Sequence, residues 1–202
     1  ARYEVSPRLS VEGAARYENY SDFGATLDKK AALAYRPHED VMLRASASTG
    51  FRAPSLLQAY YTSTVSTLSS TDATFRQAGT FAVNHPVSIA LGSQSLRPEK
   101  SQHQTVGVVY QPTSDFSVSA DFFSADINDR IMLTGSIVDT VSPQVKAILK
   151  QYGVQSARYF TNAIATRTQG MDLRLNYKHS FEDHTKLKMV ASYHRDRTTI
   201  NS

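Results

Sequence analysis

The residues best suited to holding a ligand are gathered in one stretch. Between residues 51 and 100 the chain carries Tyr60, Tyr61, Phe75, Arg76, Phe81 and His85. Rings of this kind stack on a flat ligand, and cationic heads pair with an anionic one. The stretch opens from Gly50-Phe51-Arg52-Ala53-Pro54-Ser55-Leu56 and shows no clear periodicity. A long excursion hung on a strand end is where binding proteins place ligand contacts. The same rings also suit folding the loop on itself, and Arg52 suits an ion pair with a loop carboxylate.

Catalytic chemistry finds little purchase. His38, His85, His103, His179, His184 and His194 are scattered, without H-x-x-x-H or carboxylate spacing that would gather metal ligands on one face. There is no Cys, which excludes disulfides and thiolate metal sites. No G-x-S-x-G, phosphate-cradling or dinucleotide fingerprint occurs. Ser119 or Ser192 with His194 is a formal nucleophile–base set only. The expectation is a protein that is not an enzyme, with no catalytic residues, no metal site and no cofactor.

The bulk properties bound the partners. The 202 residues are 41% hydrophobic and 20% charged, so the chain can bury a core and is not disordered by composition. Net charge is +4, with Lys and Arg never clustered beyond pairs such as Lys29-Lys30, so no nucleic-acid partner is expected. No apolar run approaches the roughly 20 residues of a spanning helix. Ala1-Arg2-Tyr3-Glu4 carries no signal-peptide pattern and reads as the interior of a longer chain.

Period-two alternation runs through nearly the whole sequence and must supply the frame for the long excursion. Leu9, Val11, Ala15 and Tyr17 alternate with Arg8, Ser10, Glu12, Arg16 and Glu18; Ala31, Leu33 and Tyr35 with Lys30, Ala32, Ala34 and Arg36; and Val41, Leu43, Ala45 and Ala47 with Met42, Arg44, Ser46 and Ser48. Val106, Val108 and Tyr110 repeat the pattern, followed by Phe116, Val118, Ala120 and Phe122. Met171, Leu173, Leu175 and Tyr177, then Leu187, Met189, Ala191 and Tyr193, complete it. About seven strands, with a fragment at Arg2 to Val5, form an antiparallel up-and-down meander. Ser142-Pro143 through Tyr152-Gly153 has a cap, a first-turn proline, a terminal glycine and an apolar stripe at Val145, Ile148, Leu149 and Tyr152. These predict one short helix inside a long loop.

Two regularities point to a membrane. Tight turns at 37–40, 112–115 and 179–185 alternate with longer connections at 19–25, 51–100 and 135–157. Outer-membrane barrels have this asymmetry between their two ends. The apolar phase also ends in rings: Tyr35, Tyr110 and Tyr177 before tight turns, Tyr17 and Tyr193 at the opposite end. Such rings match aromatic girdles. About eight residues per strand at about 3.3 Å rise and about 40° tilt span roughly 20 Å, near the height of the apolar band of such barrels. A soluble all-β binding or adhesion module would alternate too, but would have to bury the Leu173, Leu175, Tyr177 face in protein.

Four stretches carry a resemblance to one family. Gly50 to Leu56 resembles the G-F-R-A-P-S-L of TonB-dependent outer-membrane receptors, and Leu96-Arg97-Pro98-Glu99-Lys100-Ser101 their L-x-P-E-x-S. Ala120-Asp121-Phe122-Phe123 with Asp126 to Ile131, and Phe160-Thr161-Asn162-Ala163 with Thr168 to Asp172, resemble two later strand motifs. Together they cover residues about 40 to 180. Ser93-Gln94-Ser95 departs from the Asn-Pro that often precedes the L-x-P-E in this family.

The resemblance implies that residues 1–202 are part of a 22-stranded outer-membrane β-barrel of a Gram-negative bacterium. Long loops lie at about 51–100 and 135–157, and the plug domain and terminal strand have no counterpart in these residues. It implies a transporter importing a scarce nutrient such as a ferric siderophore, haem or cobalamin, energised through the TonB complex by way of the plug. The implied partners are that complex, a small metal chelate or similar nutrient, and outer-membrane lipid. Arg52, Tyr60, Tyr61, Phe75, Arg76, Phe81 and His85 become candidate ligand contacts. Arg16, Arg36, Arg44, Asp121, Asp172 and Arg174 become candidates for cross-strand ion pairs and plug contacts.

Overall fold

The computed structural model describes residues 1–21, 23–68, 74–182 and 185–201. In chain order the elements are β1 (Arg2–Ser6), β2 (Leu9–Tyr20), β3 (Gly24–His38), β4 (Val41–Arg52), α1 (Leu56–Tyr60), β5 (Ser63–Leu68), β6 (Phe75–Thr80), α2 (Pro86–Ala90), β7 (Glu99–Thr113), β8 (Phe116–Leu133), β9 (Ile137–Val138), α3 (Pro143–Gln151), β10 (Ser156–Arg158), β11 (Phe160–Ser180) and β12 (Lys186–Asn201). They form an eight-stranded sheet, β1-β2-β3-β4-β7-β8-β11-β12, and a four-stranded sheet, β5-β6-β10-β9. Contacts divide the chain into one unit of residues 1–51, 100–128 and 165–202, and a second of residues 52–99 and 129–164.

In the first unit, neighbouring strands pair with their apolar phases in register. Val11 lies opposite Leu33, and Leu33 opposite Ala45. Val108 lies opposite Ala120, Leu173 opposite Tyr193 and Tyr177 opposite Met189. A one-residue slip would move every one of these side chains to the other face, so the pattern itself fixes the register. The face they form is not covered: Leu33, Leu43, Val106, Phe122, Leu173, Met189 and Tyr193 are all exposed, Phe122 by 58%. An apolar surface this continuous requires a non-aqueous neighbour.

The tight turns repeat one device. The Arg36 N–H donates to the Arg8 carbonyl, Gln111 to Asp40 and Lys178 to Asp115, at 2.7 Å in each case. Each turn thus offers a carbonyl to the following hairpin and extends the backbone ladder at that end of the sheet. The expected longer connection at 19–25 is instead short, because β2 and β3 run on to Tyr20 and Gly24. Gly24 takes a left-handed φ of +87°, and Tyr20 and Phe23 stack at 4.5 Å beside Phe51. The rings hold the two strand ends together. His184, in the expected 179–185 turn, lies outside the described residues.

The second unit is where the aperiodic stretches acquire structure. The 53–98 connection holds α1, β5, β6 and α2, and the 134–159 connection holds β9, α3 and β10. Two one-turn helices therefore join the single expected helix, which forms as α3. The Ser142 hydroxyl accepts from the Val145 N–H at 3.2 Å, and Gly153 ends the helix at φ +69°. The two stretches share one core of Phe81, Val87, Leu149, Val154 and Ala157. They also share one sheet: β6 pairs with β5 antiparallel and with β10 in parallel.

Candidate functional site

The candidate ligand contacts are built on short, well-capped elements of the second unit. Ser55 and Gln58 form a reciprocal capping box: the Ser55 hydroxyl accepts from the Gln58 N–H at 3.2 Å, and the Gln58 side-chain Oε1 accepts from the Ser55 N–H at 3.0 Å. This fixes α1, none of whose residues is buried. Tyr60 and Tyr61 at its end are exposed, as are Leu56 and Leu57. Phe75, 75% exposed, lies opposite Leu68 at the far end of the β5–β6 hairpin. Five residue steps separate Ser63 from Leu68, so the Tyr60–Tyr61 pair and Phe75 stand about 17 Å apart along the hairpin. They are two separate apolar points rather than one cluster.

Arg76 borders a concavity of about 280 Å³ with Gln77, Val138, Asp139, Gln155 and Ser156. Its floor is the junction of the two long connections. The Gln155 side-chain oxygen accepts from the Gln77 N–H at 2.6 Å, and the Gln155 N–H donates to the Gln77 carbonyl at 2.9 Å. Phe81 is placed differently. It is 5% exposed, its ring folded over Gly79 and into the core. A ring so enclosed cannot stack on an arriving ligand. His85 is the cap of α2: its Nδ1 accepts from the Val87 N–H at 3.3 Å and its ring stacks on Phe81 at 4.6 Å.

Arg52 is committed to a carboxylate that sequence reasoning did not single out. Arg52 Nε and Nη2 donate to the two oxygens of Glu99 at 2.9 and 2.5 Å. The Glu99 Oε1 also accepts from the buried Ile131 N–H at 2.8 Å. Glu99 is 6% exposed and lies seven residues outside the apolar run that begins at Val106. Burial pushes its pKa up, but the Arg52 and Ile131 hydrogen bonds and the Arg52 and Arg130 charges outweigh this and hold it below the ordinary glutamate value. The signal for this pair was the co-occurrence of Gly50-Phe51-Arg52 with Pro98-Glu99 at a strand exit and a strand entry. A second junction lies nearby in the chain: the Asn162 amide donates to the Arg97 and Asp129 carbonyls at 2.9 and 2.6 Å, and Arg97 pairs with Asp129 at 2.8 Å.

The polar face of the first unit lines a hollow of about 760 Å³ that includes Glu12, Lys30, Arg44, Asp121, Phe123 and Asp172. The expected ion pairs are partly present there. Arg44 reaches Asp121 with Nε at 2.8 Å, and Lys30 pairs with Glu12 at 2.9 Å. Arg16 pairs with Glu18 of its own strand, Arg174 donates to Asn176 at 3.3 Å, and Asp172 meets His194 at 2.5 Å. Among the described residues no group of His and carboxylates has metal-binding geometry.

An exposed apolar face on a meander, backed by a charged face and carrying two long connections at one end, has a match among known families. Residues 1–202 match the family described as TonB dependent receptor-like, beta-barrel. The chain belongs to this family. Solved structures share the fold. The siderophore receptor PirA from Pseudomonas aeruginosa superposes with a TM-score of 0.66 at 15% identity, covering 98% of this chain and 35% of its own. PirA from Acinetobacter baumannii gives 0.65 at 15%, covering 96% and 26%. The RagAB peptide importer in its open-open state gives 0.64 at 14%, covering 100% and 21%. No curated protein sequence matches. The chain thus spans about a third or less of the length of these structures. As a receptor barrel segment it belongs to the outer membrane of a Gram-negative bacterium, in a family of transporters rather than enzymes.

Proposed function

We propose that this chain is the wall and loop segment of an active importer of a scarce nutrient such as a ferric siderophore, within a 22-stranded barrel energised through TonB. The observation that carries the reading is the union of its two long connections into one compact unit with its own core. A bulky ligand captured by loops requires contacts held in fixed positions, and a shared core supplies that rigidity. Tyr60, Tyr61 and Phe75 offer rings to a planar or catecholate chelate, and Arg76 offers a cation beside a concavity. Arg52, Phe81 and His85 serve the same ligand indirectly, by fixing the elements that present it. The hollow on the polar face suits a plug domain, whose own segment would meet the TonB complex.

The test is growth of a receptor-deleted strain under iron limitation, complemented with the complete receptor and fed a panel of ferric chelates. One chelate class should restore growth, and only when TonB is present. Tyr60→Ala, Tyr61→Ala and Phe75→Ala should each weaken its binding by about twofold to tenfold, the worth of one aromatic stack. Rescue without TonB, or a triple variant that binds as tightly as the parent, would refute the proposal.

A further inference from the structure

The concavity at the junction of the two long connections is framed by backbone from both of them. Ser156 of β10 lies opposite Ala78 of β6 on one side and opposite Val138 of β9 on the other. One step along, the Gln155 N–H donates to the Gln77 carbonyl at 2.9 Å, and the Asp139 N–H to the Gln155 carbonyl at 3.3 Å. The floor is therefore three chain segments wide and fixed before any ligand arrives. A preformed floor of this kind spares the ordering cost of binding.

The groups around that floor carry charges of both signs. Arg76, Asp139, Thr140, Gln155 and Ser156 supply a cation, a carboxylate, an amide and two hydroxyls, and no aromatic ring borders the hollow. The Gln155 side-chain oxygen is committed to the Gln77 N–H, which leaves its amide nitrogen to donate. The Asp139 carboxylate and the Ser156 hydroxyl have no partner among the described residues. A half-buried carboxylate without a partner has lost part of its hydration for no return, so an arriving cation is favoured there. Size narrows the occupant further. The hollow of about 280 Å³ holds a ligand fragment, since pockets that enclose whole drug-sized ligands run from about 300 to 1,000 Å³. The chain at Arg76 and the chain at Asp139 stand about 10 Å apart, at two strand spacings across β10. A group of a few atoms bearing one charge of each sign fits between them.

We propose, resting on the reading of the loop unit as the part that captures a chelate, that this concavity is a subsite for an α-amino-acid group carried by the chelate. The ammonium of that group meets Asp139, and its carboxylate meets Arg76 and the Gln155 amide. Other small groups match less well. A catecholate ring finds no ring to stack on, a lone anion is repelled by Asp139, and a sugar satisfies the hydroxyls but leaves the carboxylate unpaired. Tyr60, Tyr61 and Phe75 then serve the flat part of the ligand, and the concavity selects among chelates by what is attached to them.

The experiment uses the complete receptor in detergent micelles, titrated calorimetrically with ferric complexes of one synthetic tricatechol chelator. The chelator carries a lysine linked through its side-chain nitrogen, with the α-ammonium and α-carboxylate free, or the same lysine N-acetylated, or the same lysine amidated at its carboxylate. Nε-acetyllysine alone is the fourth ligand. D139N and R76Q are compared with the parent, and correct folding is checked by heat-modifiable electrophoretic mobility. The parent should bind the zwitterionic chelate about tenfold more tightly than either capped form, the worth of one charge-assisted hydrogen bond. D139N should abolish the preference over the N-acetylated form while leaving the affinity for that form unchanged. R76Q should likewise abolish the preference over the amidated form. Equal affinity for the three chelates in the parent, or a D139N preference equal to the parent's, would overturn the subsite and leave the chelate reading standing. Nε-acetyllysine binding that D139N abolishes, with no chelate bound, would support the subsite and overturn the chelate reading. Binding of none of the four ligands would overturn both. Should R76Q fail to fold, the near-isosteric D139N decides alone.

Discussion

Glu99→Ala should loosen the loop unit far more than a surface substitution would. In the parent, the Glu99 carboxylate accepts from Arg52 twice and from the Ile131 N–H once. Arg52 is 55% exposed, so water takes over its charge when the partner goes, and that half of the loss is worth about 1 kcal/mol. Ile131 is 6% exposed, and its N–H is left without an acceptor, at a cost of about 1–3 kcal/mol. The combined loss of about 2–4 kcal/mol corresponds to roughly 30- to 900-fold faster hydrogen exchange if the unit opens as one. Exchange read by mass spectrometry on the complete receptor in micelles should show it at Thr134, Phe81 and Gln155. Their N–H groups donate to Tyr159, Arg158 and Gln77 within the same unit. Glu99→Gln retains an acceptor for Ile131 and should cost only about 1 kcal/mol. Acidification supplies a second reading. Because the folded-state pKa of Glu99 is depressed, its contribution is complete above the ordinary value of 4.5 and is lost as pH falls through the depressed one. The parent should therefore lose protection in that window, and Glu99→Gln should lack this component. Less than a fivefold change in exchange for Glu99→Ala, or an identical acid profile in both variants, would refute the reasoning.

Four further outcomes follow from the packing. Leu149→Ala, at a fully buried position of the loop core, should destabilise that unit by about 2–5 kcal/mol, read by the same exchange measurement. Gly107→Ala should destabilise by about 1–3 kcal/mol, read as a lowered thermal midpoint of heat-modifiable mobility, because its Cβ would run into Asp121 Oδ1. Gly13→Ala, with nothing within 4 Å, should be close to neutral in the same assay. Leu175→Arg, on the outward apolar phase between Leu173 and Tyr177, should cost about 2–4 kcal/mol in lipid bilayers by denaturant titration.

What the sequence disclosed depended on how local each signal was. The strand phases are set by side chains two residues apart, and Leu173 opposite Tyr193 or Val108 opposite Ala120 follow once the phases are aligned. Helix α3 carries its cap, its first-turn proline and its terminal glycine within a dozen residues, and all three act as expected. The loop unit was hidden because its organising contacts are distant. Strand β10 has three residues and no period to read, and it pairs with β6 across nearly eighty positions. One local signal is present inside the aperiodic stretch: Ser55 and Gln58 have capping-box spacing, and they start a helix there. The site residues divide the same way. Tyr60, Tyr61 and Phe75 are exposed as a loop reading predicts, whereas Phe81 is buried because the second connection supplies Leu149, Val154 and Ala157 around it. Nothing near Phe81 in the chain announces that.

Two glycines explain how the polar face of the large sheet acquires specificity that its apolar face cannot. Lipid solvates the outward side chains about as well as they solvate each other, so that face favours a register without distinguishing one good apolar pairing from another. The inner face must do so with directional contacts, and in a sheet these ordinarily link adjacent strands. Here two of them skip a strand. Arg44 on β4 reaches Asp121 on β8, and β7 between them places Gly107 opposite Asp121. Phe123 on β8 stacks with His194 on β12 at 6.0 Å, and β11 between them places Gly170 beneath the ring, where a Cβ would come within 2.5 Å of it. In both cases the missing side chain opens a channel across the middle strand. Each bridge closes only if three strands are in register together, so a slip in any one breaks it. The bridges convert pairwise strand matching into a constraint on triplets, and glycine is the residue that permits it.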